Sequence, residues 1–123
     1  MILIVDDNLF DAELMASVLR GRGHDCLIAN DGHEAIGLMP EIHSRVELIL
    51  LDLDMPMIDG ISALGHFKTH YADIPVVIVT GMEDAENEAM AAKWNVAGFY
   101  QKPMTGDMLT TIITQLQSRA QAG

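Results

Sequence analysis

The chain has 123 residues, half of them hydrophobic, and 7 Lys+Arg against 18 Asp+Glu give a formal charge of −11. That is the size of one ordinary domain, rich enough in apolar residues to bury a core and too rich for a disordered chain. So few cations exclude the basic face that direct nucleic-acid binding needs, and no apolar stretch approaches the roughly 20 residues of a membrane span. The start, Met1-Ile2-Leu3-Ile4-Val5 followed by Asp6-Asp7, lacks the basic end and long apolar core of a signal peptide. One cysteine, Cys26, allows no internal disulfide, so a reducing cytoplasm is the expected setting. Its apolar neighbours Leu27, Ile28 and Ala29 predict a buried structural thiol.

The first apolar run is Ile2–Val5. Residues 10–20 then place Leu14, Met15, Val18 and Leu19 on one helical face. Cys26–Ala29 is the second run. Asp31-Gly32-His33-Glu34 has capping-box spacing, with Asp for the usual Ser or Thr, before a short helix that Pro40 is expected to end. Leu48–Leu51 is the third run, and Ile61, Leu64 and Phe67 suit a helix starting after Gly60. Val76–Val79 is the fourth run, and the Ala-rich residues 84–94 form a weakly amphipathic helix after it. Ala97–Tyr100 is the fifth. Met108, Leu109, Ile112, Ile113 and Leu116 then give a clear apolar stripe, and Gln117 to Gly123 reads as a fraying helix end.

Continuous runs, rather than alternating ones, are how strands read when both faces are buried. Five β-α repeats therefore predict an α/β fold with one parallel sheet and helices on both faces. With right-handed crossovers and one reversal of winding, the strand order is 2-1-3-4-5.

The chemistry lies at the C-terminal ends of the strands. The first run ends in Asp6-Asp7, the third in Asp52, the fourth in Thr80, and the fifth is followed by Gln101-Lys102-Pro103. In a parallel sheet all these strand ends share one edge, where ligands bind. A lone Asp there is ordinarily a turn or cap residue. Four such positions, each closing a buried run, are hard to attribute to chance. Three clustered carboxylates against one ammonium repel one another unless a cation joins them. Hard oxygen donors in small number suit Mg²⁺, with Mn²⁺ as a substitute. A metal, a lysine and a hydroxyl around a spare carboxylate suit phosphoryl transfer, with Asp52 as the nucleophile.

The stretches Ile4-Val5-Asp6-Asp7-Asn8, Leu50-Leu51-Asp52-Leu53-Asp54-Met55-Pro56 with Asp59-Gly60, Val79-Thr80-Gly81 and Gln101-Lys102-Pro103 resemble the receiver domain of bacterial two-component response regulators. The resemblance covers nearly the whole chain, so residues 1–123 are expected to form one receiver domain. It implies a flavodoxin-like (βα)₅ fold. It also implies phosphorylation of Asp52 by a sensor histidine kinase or a histidine phosphotransfer protein. Mg²⁺ would be held by Asp7 and Asp52 directly, by the Asp54 backbone carbonyl, and by Asp6 mainly through water. The Lys102-Pro103 bond is expected to be cis. Thr80 would turn toward the phosphoryl group and Phe99, where Tyr is more usual, would rotate inward. The output is then a changed surface read by a downstream effector protein, or by an output domain absent from this chain.

The chain departs from the family at several points. Asp54 and Met82 occupy variable positions flanking the site, Asn95 stands where Gly usually ends a helix, and Trp94 stands where a small residue is general. A tryptophan there must find packing or a partner. His66 and His70 have metal-compatible i, i+4 spacing but no evident third ligand, and His24, His33 and His43 are expected to be solvated. Met82, Met90, Met104 and Met108 suit gap-filling or a soft docking face. Two rival functions remain. Asp52-Leu53-Asp54 resembles the nucleophile motif of haloacid-dehalogenase phosphatases, but the acidic pair Asp6-Asp7 comes first here rather than last. A passive adaptor is disfavoured by the presence of every phosphotransfer residue, so the expected role is a switch rather than an enzyme.

Overall fold

The computed structural model of the chain describes residues 1–53, 60–81 and 85–122. The strands are β1 (Ile2–Val5), β2 (Cys26–Ala29), β3 (Leu48–Leu51), β4 (Val76–Thr80) and β5 (Gly98–Gln101). All pair in parallel, in the order β2-β1-β3-β4-β5. Every residue of β1, β3 and β4 is buried, which their unbroken aliphatic sequences require. The edge strands β2 and β5 are only partly buried. Cys26 lies on that edge and is half-buried, not buried as its sequence neighbours indicated. Partial burial still pushes its thiol up from the ordinary value.

The helices are α1 (Leu9–Gly21), α2 (Gly32–Ile42), α3 (Gly60–His70), α4 (Ala85–Lys93) and α5 (Gly106–Ala122), with a 3₁₀ turn at His43–Arg45. Strand alternation divides the core in two. Ile2, Ile4, Leu48, Leu50, Val77 and Val79 point toward α1 and α5. Leu3, Val5, Ile49, Leu51, Val76 and Ile78 point toward α2, α3 and Ala91 of α4. Asn8 caps α1 by accepting from the Asp11 N–H at 3.1 Å, and Asp31 caps α2 by accepting from the Glu34 N–H at 2.7 Å.

Three local expectations need correction. The buried face of α1 is Ala12, Met15, Ala16 and Leu19, while Leu14 is 53% exposed. Alanines at 12 and 16 let the helix approach the sheet closely, and that turns Leu14 outward. Pro40 does not end α2, which runs on to Ile42. In the last turn a proline forfeits only one helical bond, and Ile42 is buried in return. β5 begins one residue later than its apolar run, at Gly98. The helix end expected over Gln117 to Gly123 belongs to α5, which runs to Ala122.

Trp94 finds its packing against α3. A Cβ added at Gly65 would lie 3.2 Å from the indole Cζ2, so this glycine makes room for the ring. Asn95 takes φ +56°, the left-handed turn that Asn tolerates after a helix.

Candidate functional site

The sheet positions the site through its hydrogen-bond ladder. The Asp6 N–H donates to the Ala29 carbonyl at 3.1 Å and the Asp52 N–H to the Val5 carbonyl at 2.9 Å. These bonds extend the ladder one residue past β1 and β3, so the two carboxylates sit on adjacent strand ends. The Lys102 N–H donates to the Thr80 carbonyl at 2.8 Å, which ties the lysine to the end of β4. The Lys102-Pro103 peptide is cis. On the far side of Asp52, the Gly60 N–H donates to the Leu53 carbonyl at 3.2 Å. A Cβ at Gly60 would overlap the Leu53 backbone, so only glycine lets α3 start this close to the phosphoacceptor candidate.

Asp6, Asp7 and Asp52 each offer an oxygen within 4.8 Å of the others, with Asp6 and Asp52 buried and Asp7 exposed. Lys102 Nζ lies 2.8 Å from Asp6 Oδ2, 3.1 Å from Asp11 Oδ2 and 3.2 Å from Asp52 Oδ2. The contacts to Asp11 and Asp52 are directed hydrogen bonds. The closer contact to Asp6 is an ion pair without hydrogen-bond alignment, so the buried Asp6 Oδ2 has no hydrogen-bond donor among the described residues. Asp6 Oδ1 accepts from the Asn8 N–H at 2.9 Å. Burial alone would push the Lys102 ammonium down. The contacts with Asp6 and Asp11 and the charge of Asp52 outweigh it and hold the lysine well above its ordinary value.

Thr80 is buried at the end of β4, beside Gln101 in the register. Phe99 is half-buried, pairs with Ile78 and packs on the α2–α3 side of the core. A Cβ at Gly81 would meet Lys102 Cδ at 4.0 Å, an ordinary contact. The Asp54 carbonyl, Met55, Pro56, Asp59 and Met82 lie outside the described residues.

Asp11 was not anticipated from the sequence. It reads as an ordinary first-turn acid of a capped helix. The available signal was its spacing, one helical turn beyond Asp7 on a helix that starts at the active edge. Away from the site, His66 and His70 stack with ring centroids 4.4 Å apart. Burial and the neighbouring His70 push His66 down. Asp6, Asp7 and Asp52 are the only three-ligand cluster among the described residues. His24 is not fully solvated, because its Nδ1 lies 3.2 Å from Glu47 Oε1. The cavity of about 400 Å³ between Leu48, Pro75, Val77, Ala97, Ile112 and Leu116 lies at the opposite edge of the sheet, with no titratable side chain among the described residues of its lining.

Comparison with known proteins gives a consistent result. The family model described as "Response regulator receiver domain" matches residues 2–114. The regulatory protein AtoC of Escherichia coli K12 is 32% identical over 120 residues, covering 95% of this chain and 26% of that protein. The sensor histidine kinase RcsC of the same strain is 29% identical, covering 97% of this chain and 12% of that protein. The chain thus spans about a quarter or less of the length of these curated relatives. A receiver domain from Clostridium thermocellum has a TM-score of 0.90 at 25% identity, covering 98% of this chain and 96% of that one. A CheY-like receiver from Methanospirillum hungatei JF-1, at 24% identity, shares the fold with a TM-score of 0.90 over 99% of this chain and 97% of that one.

Proposed function

The chain belongs to the response regulator receiver domain family, a family of phosphoacceptor switches in two-component signal transduction, and on that premise we propose that Asp52 is the residue phosphorylated. One observation supports this most strongly. Lys102, the buried Asp6 and the exposed Asp7 converge on the Asp52 oxygens at the strand ends. An Asp52 oxygen attacks the phosphorus of a phosphohistidine on a sensor kinase or phosphotransfer protein. The P–N bond breaks and its electron pair returns to the imidazole, leaving an acyl phosphate. Lys102 donates to a phosphoryl oxygen, and the Thr80 hydroxyl supplies a second donor from the end of β4.

Asp6, Asp7 and Asp52 suit a Mg²⁺ ion. Their donors are hard carboxylate oxygens, and Asp6 Oδ2, which has no hydrogen-bond donor among the described residues, fits coordination mainly through water. Mn²⁺ suits the same donors. When bound, the ion supplies positive charge that offsets the crowded carboxylates and the incoming phosphoryl oxygens.

The proposed output is a shift of Thr80 and Phe99 that changes the face bearing α4, β5 and α5, read by an effector protein or an output domain. Residues 1–123 act as one receiver domain in the cytoplasm. The chain promotes only its own phosphorylation and dephosphorylation. Intact-mass analysis after acetyl phosphate and Mg²⁺ tests this reading. One added phosphoryl group in the wild type and none in Asp52→Asn is the expected result. Sustained release of phosphate without a labelled protein would indicate a phosphatase, and no reaction at all would indicate an adaptor.

A further inference from the structure

Among the described groups in contact with Lys102, Asp11 is the one that the proposed transfer does not use. Its backbone is fixed by the Asn8 cap, and its Oδ2 accepts from Lys102 Nζ at 3.1 Å, as close as the 3.2 Å bond to Asp52. An ammonium has three protons. Lys102 donates two of them to Asp11 and Asp52, while Asp6 Oδ2 at 2.8 Å holds the ammonium as an ion pair. A phosphoryl group on Asp52 brings about −1.5 to −2 charges and three acceptor oxygens that compete for the ammonium, so Lys102 turns to it and away from a carboxylate.

Exposure decides which one. The Asp6 and Asp52 side chains are 1% and 5% exposed, whereas Asp11 is 35% exposed. Water can replace the lysine at Asp11 and cannot at the other two, so the Asp11 bond is the least costly to break. A cavity of about 60 Å³ bordered by Asp11, Leu14, Met15, Lys102, Pro103 and Met104 gives the pair room to separate.

We propose that Asp11 is a positioning residue that shares Lys102 with Asp52 in the unphosphorylated protein and yields it when the phosphoryl group arrives, so that it lowers phosphoryl occupancy of Asp52. Its negative charge acts in the same direction, repelling the entering dianion. The inference rests on Asp52 being the phosphoacceptor.

The test is a titration with beryllofluoride, a phosphoryl mimic, at saturating Mg²⁺, with thermal unfolding of each variant as the control for folding. Asp11→Asn is expected to bind beryllofluoride about tenfold tighter than wild type, the size of one charge-assisted hydrogen bond that no longer has to be broken. Its labelling by acetyl phosphate is expected to be faster. Asp11→Ala repeats the gain, and Asp11→Glu, which restores the acceptor, returns the affinity to that of wild type. Unchanged or weaker binding in Asp11→Asn and Asp11→Ala, with any lowered melting temperature, overturns the proposal and leaves Asp11 a purely structural partner. Binding of the mimic by wild type but not by Asp52→Asn keeps the role of Asp11 separable from the assignment of Asp52. No binding by wild type overturns both.

Discussion

Lys102→Met removes the cation that the structure places among Asp6, Asp11 and Asp52, while roughly preserving side-chain volume. At about 3 Å and an effective dielectric constant of 20, each lost attraction is worth about 5 kcal/mol before desolvation is subtracted. The protein need not forfeit that much, because it can protonate a buried carboxylate instead. Protonating a group of ordinary pKa about 3.9 at pH 7 costs about 4 kcal/mol, at 1.36 kcal/mol per pH unit. That escape sets a ceiling, and about 3–4 kcal/mol of destabilisation without Mg²⁺ is the expected loss at pH 7, in the range for breaking a buried ion pair. At pH 5 the same escape costs about 1.5 kcal/mol, so the penalty shrinks in proportion. Mg²⁺ should also reduce it by replacing the missing charge. Urea unfolding of both proteins at pH 5 and 7, with and without Mg²⁺, measures each quantity. A penalty below about 1 kcal/mol that ignores both pH and Mg²⁺ would show that Lys102 behaves as a surface ion pair, and the electrostatic account of the site would fail.

Alkaline pH tests the same lysine from the other side. Its folded pKa is raised above the ordinary 10.5, so its stabilisation is complete below pH 10.5 and is lost as pH climbs through the folded value. Wild-type stability should therefore fall above pH 10.5 more steeply than that of Lys102→Met, as circular dichroism melts would show. Mg²⁺ should raise the wild-type melting temperature and raise that of Asp7→Asn much less; equal responses would remove Asp7 from the metal site. Gly60→Ala drives a Cβ into the Leu53 backbone and should cost about 2–3 kcal/mol, with slower labelling by acetyl phosphate because Leu53 adjoins Asp52.

The sheet was readable because its strands carry their burial in their composition. Leu48-Ile49-Leu50-Leu51 and Val76-Val77-Ile78-Val79 have no polar face to hide, and the β-α rhythm leaves few topologies. Asp6, Asp7, Asp52 and Lys102 were legible for a related reason, since each interrupts or follows an apolar run at the same edge. Less legible features depend on packing distance rather than pattern. Leu14 is as apolar as Met15, and only the small Ala12 and Ala16 show which way α1 turns. Pro40 breaks helices in general, yet its position in a last turn makes the local rule weak. Asp11 resembles any acid near a helix start. Its function depends on a lysine 91 residues away, a pairing that the three-dimensional structure supplies and that periodicity cannot.

The position of the phosphoryl group is the most direct measure of the central claim. After reaction with acetyl phosphate and Mg²⁺, borohydride reduction converts an acyl phosphate on aspartate to homoserine, and peptide mass mapping locates the converted residue. Homoserine at position 52, with no other acidic residue converted, is the predicted result. Conversion at Asp6, Asp7 or Asp11 with Asp52 intact would contradict the account, because the lysine and the carboxylates would then be organised around a different nucleophile.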